Sequence, residues 1–112
     1  MANFQNVTPV RLGQAAILAT VTTIYIVPAL TRVYLKNIDV ANTTNASKDL
    51  NIYLVPAGGT AGTSNAIAYT IAVAAHTTYQ WRGVQIMNPS DTLQVLGSAT
   101  GLTITASGGQ AT

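Results

Sequence analysis

An all-β domain, an antiparallel β-sandwich or jelly roll of about eight short strands with an extended N-terminal arm, is the fold class predicted by three features of the 112-residue sequence. Apolar and polar residues alternate with period two along most of the chain, as in strands with one buried face. Turn-forming clusters of Gly, Pro, Asn, Asp and Ser recur at roughly the 8 to 12 residue spacing of all-β domains. No stretch sustains the three-and-four spacing of an amphipathic helix.

Taken in order, residues 1–13 mix polar and apolar types around Pro9 without a period and read as the arm, leaving residues 14–112 as one sandwich domain. Such an arm packs on its own sandwich or reaches a neighbouring subunit. Two short strands follow at residues 16–20 and 23–27, the second ended by Pro28, which cannot donate a ladder hydrogen bond. Residues 32–42 alternate, with the Ile38 and Val40 side expected to face the core near the strand's end. After a polar loop at 42–49, Leu50, Ile52 and Leu54 share a face. Residues 56–64 form a Gly-rich loop, and Ile67, Tyr69, Ile71 and Val73 are expected on one face of the next strand. Strand, turn, strand, turn, strand is the reading of 84–108, with Asn88-Pro89-Ser90-Asp91 and Gly97-Ser98-Ala99-Thr100-Gly101 as the turns.

Composition points toward assembly. Charged residues make up 7% of the chain, against about 25% in an ordinary soluble domain. Five basic and three acidic residues give a free monomer weak colloidal protection, so neighbours are expected to cover much of the surface. The pI near 9.2 reflects a small surplus among few charges. Arg11, Arg32, Lys36, Lys48 and Arg82 are scattered in sequence, whereas phosphate tracking needs a clustered face, so no nucleic-acid partner is expected. The uncharged run at 12–31 is rich in β-branched residues and broken by Pro28, which fits strands rather than a membrane span. No basic region precedes an apolar run as in a secretory signal, so synthesis in a cytoplasm is expected.

The inventory for catalysis is thin. His76 is the single histidine and cysteine is absent, so a metal site would have to be gathered from separated Asp residues. No serine lies in a G-x-S-x-G elbow, and three isolated carboxylates, Asp39, Asp49 and Asp91, cannot be paired across a cleft from sequence. Asp91 is expected to accept turn hydrogen bonds, and His76 to sit in an exposed turn. Gly58, Gly59 and Gly62 are not followed by the Gly-Lys-Ser/Thr of a phosphate loop. Neither catalytic residue, nor cofactor, nor metal is therefore expected. Tyr34, Tyr53, Tyr79 and Trp81 could stack on a sugar, but strand aromatics more often serve core or subunit interface.

In series, Tyr25-Ile26-Val27-Pro28-Ala29, a strand ending at Asn42, Ile52-Tyr53-Leu54-Val55-Pro56 with Gly58-Gly59, Ala74-Ala75-His76-Thr77-Thr78-Tyr79, Asp91-Thr92-Leu93 and a terminal strand closing on Gly108 resemble small β-sandwich virion proteins of tailed bacteriophages. The resemblance covers about residues 14–108, with Ser90 standing where that group usually has Gly and His76 where Asn is common. It implies a non-enzymatic structural protein on the virion surface, foremost a capsid decoration (cement) protein. Its implied partners are copies of itself, as a homotrimer, and the major capsid protein. On this reading Phe4, Val7 and Val10 of the arm, with Tyr34, Tyr53 and Trp81 of the sheets, are the candidate subunit or capsid contacts. The alternative is a tail or head-fibre module that binds a receptor or carbohydrate through the loops at 43–47 and 57–64.

Overall fold

The computed structural model describes residues 7–112; Phe4 and the rest of 1–6 lie outside the described residues. Eight strands follow one another: β1 (Val7–Ile17), β2 (Thr22–Ile26), β3 (Arg32–Asn42), β4 (Lys48–Val55), β5 (Ala66–Val73), β6 (Thr78–Met87), β7 (Thr92–Gly97) and β8 (Leu102–Ala111). A single 3-10 turn at Thr63–Asn65 interrupts them. Sheet A has the order β1-β8-β3-β6 and sheet B the order β2-β7-β4-β5, all antiparallel. Apart from the β4–β5 pair, which stays within sheet B, successive strands cross between the sheets as in a jelly roll. The expected all-β sandwich is the observed architecture.

Residues 7–13, expected as an arm, form the first half of β1 and pair with β8 from Val7↔Ala111 onward. The mixed composition hid this because the strand is a sheet edge with one face open to water, so only Leu12 and Ile17 of its residues are fully buried. Two further differences have one cause. In β3 the core takes Val33 and Leu35, and then Ile38 and Val40, residues of opposite parity. An extra residue at Lys36, between the pairs Leu35↔Gly108 and Asn37↔Ser107, switches the phase. In β5 the expected Ile67, Tyr69, Ile71, Val73 face is broken by irregularities against β4, which bury Ala68 and leave Tyr69 53% exposed.

The core between the sheets is aliphatic: Val33, Leu35, Ile38, Val40 and Ile104 from sheet A meet Leu50, Ile52, Leu93 and Val95 from sheet B. Turn chemistry closes the ends. Asp91 Oδ1 accepts the Ala57 N–H at 3.0 Å and Oδ2 accepts the Asn88 N–H at 2.9 Å, so the carboxylate pins two loops together. Ser90 and His76, the two departures from the resemblance noted above, have φ of 71° and 57°. Both therefore occupy the left-handed region that favours Gly and Asn, which explains why those residue types suit these positions.

At one edge of the sandwich the Gln110 side-chain amide of β8 donates to the Tyr25 hydroxyl of β2 at 3.1 Å, linking the two sheets. Burial raises the Tyr25 phenol above its ordinary value of 10.0, and the hydrogen bond from Gln110 opposes part of that rise. A raised folded-state value means the folded chain holds this proton more tightly than the unfolded one. The resulting stability is complete below about pH 10 and drains away as the pH climbs through the folded value. Urea unfolding of Tyr25→Phe should accordingly show a shallower loss of stability above pH 10 than the parent protein. Equal slopes for the two proteins would contradict this.

Candidate functional site

The outer face of sheet A gathers what the sequence scatters. Four of the five cations, Arg11 on β1, Arg32 and Lys36 on β3, and Arg82 on β6, lie on sheet A strands, against one carboxylate, Asp39. Cross-strand register aligns three of them. Arg11 is opposite Ser107, Ser107 opposite Asn37, and Asn37 opposite Arg82, with Lys36 beside Asn37. Strands about 4.8 Å apart make this row about 14 Å long.

Backbone irregularities create the row. At this level β1 carries an extra residue relative to β8, β3 carries one relative to β8, and β6 carries one relative to β3. Bulges re-aim side chains and bend the strand. Here the bulge at Lys36 leaves that side chain exposed while Leu35 and Ile38 on either side are fully buried. The floor between Arg11 and Lys36 is small-residue backbone, Ser107 and Gly108, so the row holds an open recess of about 550 Å³ whose walls include Arg11, Lys36 and Asn37.

At the β6 end of the row Arg82 approaches Asp39 to 3.0 Å, an ion pair with both side chains substantially exposed and worth at most about 1 kcal/mol. Arg11 and Lys36 have no such partner among the described residues. Beside the row the face turns apolar. Tyr34 is flanked by Gly109 and Ile86 in direct register, and Val84 lies two residues before Ile86 on the edge strand. Val7, Val84 and Ile86 are 56%, 55% and 47% exposed. Five consecutive β6 residues, Arg82 to Ile86, are exposed, a run that ends at the buried Met87.

Of the residues singled out from sequence, Val7 and Tyr34 share this face. Val10 and Trp81 turn inward and pack against the core. Tyr53, at 5% exposure, has almost no surface to offer; it sits opposite Ala66, where the 3-10 turn contacts β4. Exposure of strand aromatics depends on register, which composition does not disclose. Val84 and Ile86 were missed, although two aliphatics at i and i+2 around Gln85 are the signal that could have marked them. His76 is exposed and lines a shallow hollow of about 320 Å³ with Asn42 and Thr77. Among the described residues no three His, Cys, Asp or Glu gather as metal ligands, and no helix is long and apolar enough to cross a membrane.

Neither a protein-family model nor a curated protein matches the chain. Solved structures do match it. The Bacillus endospore appendages, which form a family of disulfide-linked pili, align with a TM-score of 0.58 and 18% identity over 100% of this chain and 93% of theirs. The T13 particle of infectious bursal disease virus aligns with a TM-score of 0.56 and 16% identity, covering 98% of this chain but 31% of the viral one. The Gx strain of that virus gives 0.52 and 16%, again over 31% of the viral chain. The chain thus spans about a third of the viral protein and nearly all of the appendage subunit. At these identities the likeness is one of fold. One chemical difference is plain: these 112 residues contain no cysteine, so no disulfide can link copies of them.

Proposed function

We propose that the chain is a non-enzymatic structural subunit that assembles with copies of itself, and in particular a capsid decoration protein that sits on the outer shell of a virus head as a homotrimer and stabilises it. The observation that carries this reading is the outer face of sheet A, where exposed Val7, Val84 and Ile86 adjoin cations that have no internal partner. An apolar patch rimmed by charge on a chain with so few charges is the surface of a subunit awaiting a neighbour. A rigid sandwich suits adhesion, because preorganised strands lose little conformational entropy when they dock. The architecture shared with a bacterial appendage and a viral capsid supports the reading at the level of fold.

A fibre subunit is the second reading, favoured by the near-complete match to an appendage chain. Sedimentation of the full chain over a wide concentration range tests the shared part of both. Concentration-dependent oligomers are expected, trimers for the decoration protein and open-ended polymers for the fibre. A strict monomer at every concentration, or turnover of a polysaccharide by the purified chain, would overturn the proposal. Electron microscopy of the particle that carries the chain then separates shell from fibre.

A further inference from the structure

We infer that the recess between Arg11 and Lys36 receives the Asp49 carboxylate of a second copy, so that the outer face of sheet A packs on the outer face of sheet B of the next subunit. This rests on the self-assembly proposed above and adds which surfaces meet and what sets their register.

The recess is equipped for a carboxylate. A guanidinium (Arg11) and an ammonium (Lys36) flank it, and the Ser107 hydroxyl and Asn37 amide lie between them in the same cross-strand row. A floor made of Ser107 and Gly108 leaves room for an entering side chain. Planar pairing with Arg and added neutral donors is the usual way a partly dry carboxylate is held.

Only one acid in the chain is available to fill it. Asp39 is committed to Arg82, and Asp91 accepts two backbone N–H groups, Asn88 of its own turn and Ala57 of the neighbouring loop. Asp49 is exposed, and its carboxylate has no hydrogen bond or ion pair among the described residues. It precedes the buried Leu50 and pairs with exposed Ala72, so it faces outward from sheet B. Lys48, the single cation on sheet B, is opposite buried Val73 and on the inward side. The outer face of sheet B therefore presents a negative charge without a positive one.

Charge also decides against the symmetric alternative. Two sheet A faces packed on each other would set four cations against four with one carboxylate on each side, and like charges opposed across an interface disfavour it. Sheet A on sheet B brings opposite signs together and leaves Tyr34, Val84 and Ile86 to supply apolar contact. Such a contact is heterologous: it closes into a ring where the rotation allows and otherwise propagates as a filament. An exposed ion pair adds little affinity of its own, so its work is to fix which faces meet and in what register.

Charge exchange tests this on the full chain by sedimentation equilibrium. Asp49→Lys, and separately the double variant Arg11→Asp with Lys36→Asp, should each weaken self-association about tenfold or more, while circular dichroism shows both folded. Mixed together, the two should associate about as well as the parent protein, since each then meets a complementary face. Asp49→Asn, which keeps the shape and removes the charge, should give an intermediate loss. A parent protein that associates while Asp49→Lys associates equally well, or a mixture that does not recover, overturns the inference and leaves the assembly reading intact. A monomeric parent protein overturns both.

Discussion

Replacing Gly108 with alanine is expected to destabilise the protein by about 3 kcal/mol or more, a large share of the 5 to 15 kcal/mol that holds a domain of this size. A β-carbon at 108 would overlap the Tyr34 carbonyl oxygen and lie 3.0 Å from its carbonyl carbon and 3.2 Å from the Leu35 Cα. All three are backbone atoms of the neighbouring strand, so no rotamer change relieves the clash. β8 or β3 must shift, and β3 carries the centre of sheet A between β8 and β6. Gly62→Ala is the matched control: its φ of −172° is ordinary extended backbone and nothing lies within 4 Å of the new carbon. That variant should be neutral or gain up to about 1 kcal/mol through a less flexible unfolded chain. Urea titration followed by circular dichroism separates the two outcomes, and equal midpoints for both variants would contradict the packing argument. Because Gly108 also floors the recess, Gly108→Ala should weaken self-association as well.

Asn42→Ala should cost about 2 to 4 kcal/mol, by stranding buried polar groups rather than by opening a cavity. Asn42 is 2% exposed at the end of β3. Its amide nitrogen donates to the Ala46 and Val73 carbonyls at 2.8 and 2.9 Å, and its oxygen accepts from the Thr44 N–H at 3.0 Å and the Thr44 hydroxyl at 2.7 Å. One side chain thereby holds the 43–47 loop, the end of β3 and the end of β5. Asn42→Asp retains the two acceptor contacts but aims a carboxylate at two carbonyls. It should be at least as unstable as Asn42→Ala at neutral pH and recover partly in mild acid, where the folded state binds the proton that the unfolded state does not yet hold. Unfolding midpoints for Asn42→Ala within 0.5 kcal/mol of the parent protein, a surface-like effect, would refute the role assigned to this side chain.

Sequence periodicity was informative wherever a strand kept one phase. β3 runs from Arg32 to Asn42 as its pattern requires, and the turn role of Asp91 follows from its place after Pro89 and Ser90. It was misleading where the backbone inserted a residue. Val33 and Leu35 alternate out of step with Ile38 and Val40, and only the bulge at Lys36 reconciles them. The interaction face was illegible for a related reason. Arg11, Lys36 and Arg82 are 25 and 46 residues apart in a chain whose jelly-roll crossings alone make their strands neighbours or near neighbours. Aromatic content likewise pointed to Tyr53 and Trp81, yet the register of β4 and β6 turns both toward protein, and the exposed surface falls to the aliphatic Val84 and Ile86 instead.

The aligned bulges of sheet A make chain length a shared property of three strands. Deleting Lys36 alone would remove the bulge against β8 and bring Val33, Leu35, Ile38 and Val40 into one phase, but β6 would then carry two unmatched residues against β3 between Leu35 and Asn37 instead of one, and a slip of one residue to repair that pairing would turn the side chains of β6 over. Insertions and deletions at this level are therefore tolerated only as matched sets. Variants of this protein can lengthen or shorten freely in the loop at 56–65, while the stretch around Lys36 behaves like a reading frame in which every strand must agree.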